Sequence, residues 1–359
     1  MSIGAPAVTV TQIPVPERVL VIKLRAIGDV VMATPVIDNL RAAWPQAQID
    51  FLTEKMCFPI VKDHPEIDDH LVFDRFFISN APGTVALREN LNFLRQLRRK
   101  RYDVVFDLFG NPRTALFTLA TGARYRVGYN FRGRKYAYNI VVPNRGDHIH
   151  EVLFNLDALQ AVGVPVTTTK LRVEVTGLHA AFADDFFRRA ELEGSTVIGL
   201  NVSGGWYTKK WPLASFAGLA DRLVAQYGIK ILIFWGPGEL DDARAVREAM
   251  QQPAVLAPQA DLHQLAALLQ KTDLLISNDS GPLHLATAVG TRVAGIYGPT
   301  RPDLQGPWGD WHFVVRKDEL DCLGCHGVTC RISTHDCMQK LSVDEVFEKI
   351  VPLFKGLKK

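Results

Sequence analysis

Four segments of the chain combine glycine with hydroxyl, acidic or basic side chains. They are Arg25-Ala-Ile-Gly-Asp29, Ser203-Gly-Gly-Trp-Tyr-Thr-Lys-Lys210, Gly236-Pro-Gly-Glu239 and Asn278-Asp-Ser-Gly-Pro-Leu-His284. Glycine allows the backbone to approach a ligand closely, while hydroxyl groups, backbone N–H groups and lysines bind phosphate. A carboxylate in such a loop can bind ribose hydroxyls or accept a proton. The four segments therefore predict anion binding, hydroxyl recognition and one candidate base.

Two of these segments also have simpler interpretations. Asp29 stands at the start of a predicted helix, where a carboxylate can simply cap free N–H groups, or it can be a general base. The segment from Ser203 to Lys210 can be a glycine-rich turn with solvated lysines. It lacks the Walker A pattern of an ATPase, and the chain has no complete G-x-G-x-x-G after its strands to suggest NAD.

Each segment follows a short apolar run that predicts a β-strand, and helical patterns alternate with these strands. The predicted strands cover 18–24, 48–53, 104–108, 197–203, 229–234, 274–277 and 293–297. The predicted helices cover 30–44, 85–101, 114–120, 213–227 and 343–354, with others beginning after Glu239 and Pro282. This alternation predicts an α/β protein with two doubly wound, Rossmann-like domains facing across a cleft, in which ligands bind at the carboxyl ends of the strands. We place a flexible tail at 1–17, the first domain at 18–175 and the second at 176–359.

Composition excludes several classes of protein. Of the 359 residues, 47% are apolar and 22% are charged, which is unlike a disordered or collagenous chain. With 41 Lys and Arg against 38 Asp and Glu, the net charge of +3 argues against nucleic-acid binding by bulk charge. No apolar run approaches the roughly 18 residues of a membrane span, and no secretion signal is evident. We expect a cytoplasmic protein.

Several motifs together resemble the family 9 glycosyltransferases, the ADP-heptose:lipopolysaccharide heptosyltransferases. They are Val21-Ile-Lys-Leu-Arg-Ala-Ile-Gly-Asp-Val30, Lys210-Trp-Pro212, Gly236-Pro-Gly-Glu239, Ser277-Asn-Asp-Ser-Gly-Pro-Leu-His-Leu-Ala286 and Tyr297-Gly-Pro-Thr300. The resemblance extends from Arg18 to the last helix. It implies a GT-B fold and an inverting, metal-independent transfer of heptose from ADP-heptose to the lipopolysaccharide inner core, with Kdo-lipid A or heptosyl-Kdo-lipid A as acceptor. It also implies that the acceptor binds the N-terminal domain and the nucleotide sugar the C-terminal domain.

The resemblance also implies roles for individual residues. Asp29 matches the family's general base, and Lys209 matches the lysine that offsets charge on departing ADP. Glu239 matches the acid that binds ribose, and Asp279 matches the residue that holds heptose hydroxyls. With the hydroxyls and N–H groups of the glycine-rich segments, the predicted donor-binding set is Ser203, Gly204, Gly205, Thr208, Glu239, Asp279, Ser280, Gly281 and His284. Gly204 and Gly205 stand where some members have threonines, so only their backbone N–H groups could contact phosphate.

A basic stretch adds an expectation about the acceptor. Between Arg88 and Arg145 there are 13 Lys and Arg against three acidic residues, Glu89, Asp103 and Asp107. A solvated helix face explains part of this excess. A phosphorylated, Kdo-bearing lipid is strongly anionic, however, and a basic surface would attract it and the membrane that contains it. The predicted acceptor contacts are Arg25, Arg98, Arg101, Arg132 and Arg134, and we expect peripheral contact with the cytoplasmic face of the inner membrane.

Four of the five cysteines lie in the segment Cys322-x₂-Cys325-x₄-Cys330-x₆-Cys337. Four thiols this close together can surround one tetrahedral ion, which predicts a structural zinc or iron site. A reduced, metal-free cluster is the alternative, because this spacing is not that of a standard zinc ribbon. The transfer chemistry itself requires no cofactor.

Two other functions remain compatible with these residues. One is a GT-B transferase or epimerase that uses another nucleotide sugar. The other is a sugar-nucleotide-binding or lipopolysaccharide-binding module without turnover, although such a module would need no base at Asp29.

Overall fold

The computed structural model describes residues 8–131 and 134–354, which form two compact units. The units divide between Val173 and Glu174, two residues before the boundary predicted from the sequence. Residues 8–17 form no helix or strand, although the Thr11 N–H group donates to the carbonyl of Ala161 at 2.8 Å. No helix within the described ranges has the length and apolar character that crossing a membrane requires.

The N-terminal unit contains six strands and seven α-helices within its described residues. The strands are β1 (Arg18–Ile22), β2 (Gln48–Glu54), β3 (Asp69–Phe73), β4 (Val104–Asp107), β5 (Tyr125–Tyr129) and β6 (Ile140–Val142). The helices are α1 (Ile27–Val31), α2 (Thr34–Ala43), α3 (Phe58–Val61), α4 (Arg75–Asn80), α5 (Gly83–Arg99), α6 (Pro112–Thr121) and α7 (Glu151–Gln160), with a 3₁₀ turn at Arg134–Ala137.

All six strands of this unit are parallel and lie in the order β3-β2-β1-β4-β5-β6. From β1 the chain first builds outward to β2 and β3, and then crosses back to β4 on the other side of β1. The order therefore reverses between β1 and β4, and loops at such a reversal splay apart and leave a ligand crevice at the carboxyl ends of the strands. The segment with Arg25 and Asp29 follows β1 at this point.

The C-terminal unit has the same plan. Its strands are β7 (Val197–Asn201), β8 (Lys230–Phe234), β9 (Val255–Leu256), β10 (Leu274–Asn278), β11 (Arg292–Ile296) and β12 (Phe313–Val315). Its helices are α8 (Gly177–Arg189), α9 (Leu213–Tyr227), α10 (Leu240–Ala249), α11 (Leu262–Gln270), α12 (Gly281–Ala288), α13 (Pro302–Gln305), α14 (Asp336–Gln339) and α15 (Val343–Phe354), with a 3₁₀ turn at Tyr207–Lys209.

The second sheet is also parallel, in the order β12-β11-β10-β7-β8-β9, so its reversal lies between β7 and β10. Strand β7 is buried along its whole length, as expected for a central strand covered on both faces. Helices α9 and α15 pack beside it through Phe216, Leu219, Phe347 and Ile350, which belong to one apolar cluster. This rigid core fixes the loops that follow β7 and β10, and these are two of the four segments predicted to bind a ligand.

Candidate functional site

The loops after β7 and β10 are fastened to each other by side-chain amides. Asn201 donates through Nδ2 to the hydroxyls of Ser277 and Ser280, at 2.9 and 2.7 Å. Asn278 accepts from the Trp211 N–H group at 3.0 Å and donates to the carbonyl of Val202 at 2.7 Å. Both asparagines are buried. The predicted ligand loops therefore form one preorganised surface at the reversal of the sheet.

Lys209 and Asp279, which lie 70 positions apart in the sequence, meet at this surface. The Lys209 ammonium lies 2.7 Å from Oδ2 of Asp279, and the same oxygen accepts a hydrogen bond from the Thr300 hydroxyl at 2.7 Å. The ammonium is also 4.6 Å from the centre of the Trp206 ring. The lysine side chain is 18% exposed and the aspartate 6%. A mostly buried cation thus lies on the strand-end surface, where an anionic ligand can compete with the Asp279 carboxylate for it.

Ser203 and Lys210 are held together by a carboxylate that the sequence analysis did not single out. Asp242, near the start of α10, accepts from the Ser203 hydroxyl at 3.0 Å and from the Lys210 ammonium at 2.7 Å. The hydrogen bond from Lys210, and to a smaller extent that from Ser203, holds the pKa of Asp242 below its usual value. Lys210 therefore anchors the loop to α10, whereas its neighbour Lys209 points to Asp279.

The glycine-rich segments provide space and backbone groups. Gly205 is exposed, and a Cβ built on it would have no neighbouring atom within 4 Å. Gly204 is buried, and a Cβ built on it would lie 3.9 Å from side-chain atoms of Asn278 and Lys209. After β8, the Glu239 carboxylate accepts from the N–H group of Gly236 at 3.0 Å. Gly238 has a φ of +80°, which favours glycine in this turn. The Glu239 carboxylate is thus bonded to the backbone of its own turn.

Ser280 is the N-cap residue of α12, but its hydroxyl makes no capping bond. It accepts from Asn201 and donates to the carbonyl of Asn278 at 3.3 Å, so the hydroxyl joins two strand-end loops. Gly281 begins the helix, and His284 lies buried one turn further on. The helix N-terminus therefore receives no side-chain cap from Ser280, because the neighbouring loop engages that hydroxyl.

Thr208 is buried, and its hydroxyl donates to the carbonyl of Gly327 at 2.8 Å, toward the cysteine segment. All five cysteines are free thiols. Burial, together with the sulfurs of Cys322, Cys325 and Cys330, raises the pKa of the Cys337 thiol to about 11. Among the described residues, no three of these sulfurs lie within 4.8 Å of one another.

In the N-terminal unit, Asp29 lies in the first turn of α1. Its Oδ2 accepts a hydrogen bond from the Ala26 N–H group at 3.0 Å, which is the capping contact anticipated from the sequence. Burial, together with the carboxylates of Glu54 and Asp29, raises the pKa of the Cys57 thiol to about 12. Cys57 therefore remains protonated at neutral pH and is not a candidate base. Asp29 is the one carboxylate in the segment Arg25–Asp29 that follows β1.

A buried cation that the sequence analysis missed holds this segment in place. The ammonium of Lys23 is 3% exposed and contacts Glu151 at 2.7 Å, Asn155 at 3.2 Å and the carbonyl of Leu108 at 3.0 Å. Asn155 in turn donates to the carbonyl of Met32 at 3.2 Å. Helix α7 thus fixes both ends of the segment that contains Asp29. Lysine in an apolar strand was the available signal, since a buried charge requires partners.

Arg25 is exposed at the same edge of the sheet. Its Nε lies 3.8 Å from Oε1 of Glu54, whose other oxygen accepts from Arg75 at 3.1 Å. Arg113, just after β4, lies 5.1 Å from the centre of the Phe73 ring. Arg75 and Arg113 follow β3 and β4, so three arginines surround the carboxyl edge near Asp29. Only Arg25 of the three is predicted from the sequence. Arg75 could not be placed at this edge, because β3 was not predicted.

The structure places the other predicted acceptor contacts elsewhere or leaves them undescribed. Arg98 lies in the last turn of α5 and Arg101 just before β4, at the amino edge of the sheet, opposite the edge with Asp29. The reason is topological, because a helix that leads into a parallel strand ends at that strand's amino end. Arg132 lies outside the described residues, and only the backbone of Arg134 is described, at the start of a 3₁₀ turn.

Two units, each with a six-stranded parallel sheet of the same reversed order, are the arrangement of a GT-B fold. The family model for glycosyltransferase family 9 (heptosyltransferase) matches residues 90–335, and the chain belongs to this family. It is 29% identical to lipopolysaccharide heptosyltransferase 3 of Escherichia coli K12, over 83% of this chain and 90% of that protein.

Solved structures agree with the fold. A family 9 glycosyltransferase from Veillonella parvula is 23% identical with a TM-score of 0.81, covering 94% of this chain and 97% of that one. The Escherichia coli heptosyltransferase WaaC with ADP is 22% identical with a TM-score of 0.73, covering 93% and 98%. The GT-B fold predicted from the motifs is confirmed.

Proposed function

We propose that this protein transfers heptose from ADP-heptose to the inner core of lipopolysaccharide, with Kdo-lipid A or heptosyl-Kdo-lipid A as acceptor. The observation that carries the proposal is the contact between Lys209 and Asp279 at the sheet reversal of the C-terminal unit, in a chain that belongs to family 9. One relative is named a lipopolysaccharide heptosyltransferase, and one solved neighbour is a heptosyltransferase with ADP, which supports heptose transfer to lipopolysaccharide from an ADP-linked donor.

We assign donor binding to the loops of the C-terminal unit. The Lys209 ammonium neutralises the diphosphate, and Asp279 is then released to accept hydrogen bonds from heptose hydroxyls. N–H groups of Gly204, Gly205 and Gly281, with the hydroxyls of Ser203 and Ser280, surround the phosphates, and His284 lies beside them. The Thr208 hydroxyl is directed to Gly327, so Thr208 supports the loop from behind. Glu239 binds the ribose after exchanging its contact with Gly236. The cation and these dipoles stabilise the charge that develops on departing ADP without a catalytic metal.

The reaction we propose is a single displacement. The acceptor hydroxyl oxygen attacks the anomeric carbon of heptose while the bond from that carbon to the diphosphate oxygen breaks. Asp29 accepts the hydroxyl proton, and the electron pair of the broken bond leaves with ADP. Attack opposite the leaving group inverts the anomeric configuration. The hydrogen bond from Ala26 orients the carboxylate, and the Lys23 network fixes the backbone on both sides of it.

We assign acceptor binding to the N-terminal unit, with Arg25, Arg75 and Arg113 as contacts for its phosphate and carboxylate groups. Arg98 and Arg101 then attract anionic headgroups from the far edge of the same unit. Arg132 and Arg134 remain predicted contacts.

Helices α4 and α5 expose an apolar surface that suits a lipid acceptor. Phe76 is 81% exposed and Phe77 53%, and Leu87 and Leu91 are also exposed on the following helix. Helix α4 buries none of its residues, and it follows β3 at the carboxyl edge of the sheet. Apolar side chains flanked by arginines favour an anionic membrane surface. We therefore propose peripheral association with the cytoplasmic face of the inner membrane.

The experiment incubates the protein with ADP-heptose, UDP-sugars and other nucleotide sugars, each with a series of truncated lipopolysaccharide cores, and measures product masses. We expect a mass increase of one heptose with ADP-heptose on one inner-core acceptor, at the same rate with and without added Mg²⁺ or Mn²⁺. Addition of a different sugar would indicate another transferase, and conversion of a nucleotide sugar without acceptor would indicate an epimerase. Nucleotide binding without any product would indicate a binding module.

A further inference from the structure

The four clustered cysteines line a single cavity of about 320 Å³. We call this the cysteine cavity, defined by Cys322, Cys325, Cys330 and Cys337. Cys337 is buried at α14 and belongs to the apolar core of the C-terminal unit, whereas the other three are partly exposed on turns. The core thus fixes the Cys337 thiol. The other three thiols line the same cavity from a segment without helix or strand.

The segment around the cavity has limited apolar support, which comes from Leu320 and Leu323 packed against the core of the C-terminal unit. Residues 316–335 contain no helix or strand, and the side chains of Val328 and Ile332 are 58% and 50% exposed. Two backbone hydrogen bonds attach it to the loop after β11, from Gly324 to Gly298 at 3.0 Å and from His326 to Pro299 at 2.6 Å. A stretch of turns that buries so little apolar surface gains much from a cross-link.

The chemistry of the cavity suits a thiophilic metal. Zinc and ferrous iron bind four thiolate sulfurs at about 2.3 Å in a tetrahedron, which requires the sulfurs to lie closer together than they do here. Cys322, Cys325 and Cys330 stand on turns without regular secondary structure, so they can close on an ion held by Cys337. The adjoining Gly298 has no Cβ, and one there would lie 2.8 Å from the Cys337 sulfur.

The cysteine segment is also bonded directly to the turn that contains Lys209. The Thr208 hydroxyl donates to the carbonyl of Gly327 at 2.8 Å, and His335 Nε2 lies 2.6 Å from the carbonyl of Thr208. The rings of Tyr207 and His335 are 5.4 Å apart. Three consecutive residues, Tyr207 to Lys209, thus link the cysteine segment to Asp279.

We propose that the cysteine cavity is a tetrathiolate site for a Zn²⁺ or Fe²⁺ ion, and that the bound ion braces the turn from Trp206 to Lys209. The ion contributes no chemistry to transfer. It holds the backbone on which Lys209 stands, so its effect on nucleotide binding is one of positioning. Only this last effect rests on the proposed function.

The first experiment measures zinc and iron in full-length protein purified anaerobically without chelators. The wild type and the control Cys57→Ser, which alters the one cysteine outside the cavity, should each contain about one equivalent of metal. Cys322→Ser/Cys325→Ser should retain less than about a tenth of an equivalent. Replacing the metal in the wild type with Co²⁺ should give a thiolate-to-cobalt charge-transfer band, which reports the ligands without any variant. Absence of metal and of this band after reconstitution, or equal metal in the double variant, would overturn the proposal.

The second experiment measures hydrogen exchange in the wild type before and after metal removal. Amides of 203–212 should exchange at least about tenfold faster without metal, whereas those of α10 should be unchanged. If metal removal changed the exchange of 203–212 no more than that of α10, the bracing role would be refuted. ADP affinity should fall together with the protection of 203–212. If the metal-loaded protein protects this turn yet binds no ADP, the proposed function fails while the metal site stands.

Discussion

Replacing Lys209 with methionine tests the donor site most sharply, because the lysine has a neighbour of the same type with a different partner. Lys209 contacts Asp279 at 2.7 Å, and Lys210 contacts Asp242 at the same distance. Methionine keeps most of the side-chain volume and removes only the charge. Lys209→Met and Lys210→Met therefore form a matched pair that differs in which carboxylate loses its cation.

The expected magnitudes follow from burial. Removing one partner of a fully buried ion pair costs about 3–5 kcal/mol. Lys209 is 18% exposed and Thr300 still donates to Asp279, so we expect the free energy of unfolding to fall by only about 1–2 kcal/mol. Losing a cation that stabilises the leaving group costs about 3–4 kcal/mol in the transition state, or about 10²–10³-fold in kcat. Lys210→Met should lower stability by up to about 1 kcal/mol and kcat by less than about tenfold.

The assay combines steady-state release of ADP, calorimetric ADP binding and urea unfolding of both variants. A third variant, Lys209→Met/Asp279→Asn, removes both charges and should recover the lost stability but none of the lost turnover. Equal losses of kcat in Lys209→Met and Lys210→Met would show that neither lysine contacts the leaving group specifically. Recovery of turnover in the double variant would refute the catalytic role of Lys209, since only the ion pair would then matter.

Three other predictions concern the acceptor, the membrane and pH. Arg25→Glu should raise the acceptor KM more than the donor KM, and Arg98→Glu at the opposite edge should have the smaller effect; equal KM changes for both substrates would indicate a folding defect. Phe76→Ser should reduce sedimentation with anionic phospholipid vesicles, compared with the equally exposed Leu178→Ser control in the other unit; unchanged sedimentation would remove α4 from the membrane surface. Because Lys210 and Ser203 lower the folded-state pKa of Asp242, their contribution to stability is present above the ordinary value of about 4 and is lost as pH falls through the lowered pKa. Acid unfolding should therefore be steeper below about pH 4 in the wild type than in Asp242→Asn, and superimposable curves would contradict this linkage.

The parts of the fold set by local periodicity could be predicted from the sequence. The predicted helices 213–227 and 343–354 coincide with α9 and α15, and the central strands differ by one or two residues at their ends. Short or polar elements escaped prediction. Strand β3 begins with Asp69 and His70 and is stabilised by pairing with β2, and α8 buries only Ala183 and Phe187, too few to give a clear apolar periodicity. The helix predicted over 30–44 is two helices, α1 and α2, because the chain turns at Met32 and Ala33.

The candidate site shows the same division. Lys209 and Asp279 could be placed together from the sequence, because both follow strands of one parallel sheet and the carboxyl ends of such strands share an edge. Asp242 and Lys23 could not, since their importance depends on which side chain is buried against which partner. Charge alone predicts one acceptor surface for Arg98, Arg101 and Arg25. Charge composition has no direction along a strand, and the topology places Arg98 and Arg101 at the opposite end of the sheet.

The central claim is that Asp29 takes the proton from the acceptor hydroxyl, and Asp29→Asn tests it most directly. Asparagine keeps an oxygen that can accept from Ala26, so the cap remains and the free energy of unfolding should change by less than about 1 kcal/mol. The rate of heptose transfer in a single turnover should fall by about 10²–10⁴-fold, because the proton acceptor is lost. ADP affinity should stay within about twofold of the wild type, because we assign the donor site to the other unit. A transfer rate close to that of the wild type would contradict the account and leave Asp29 as a helix cap.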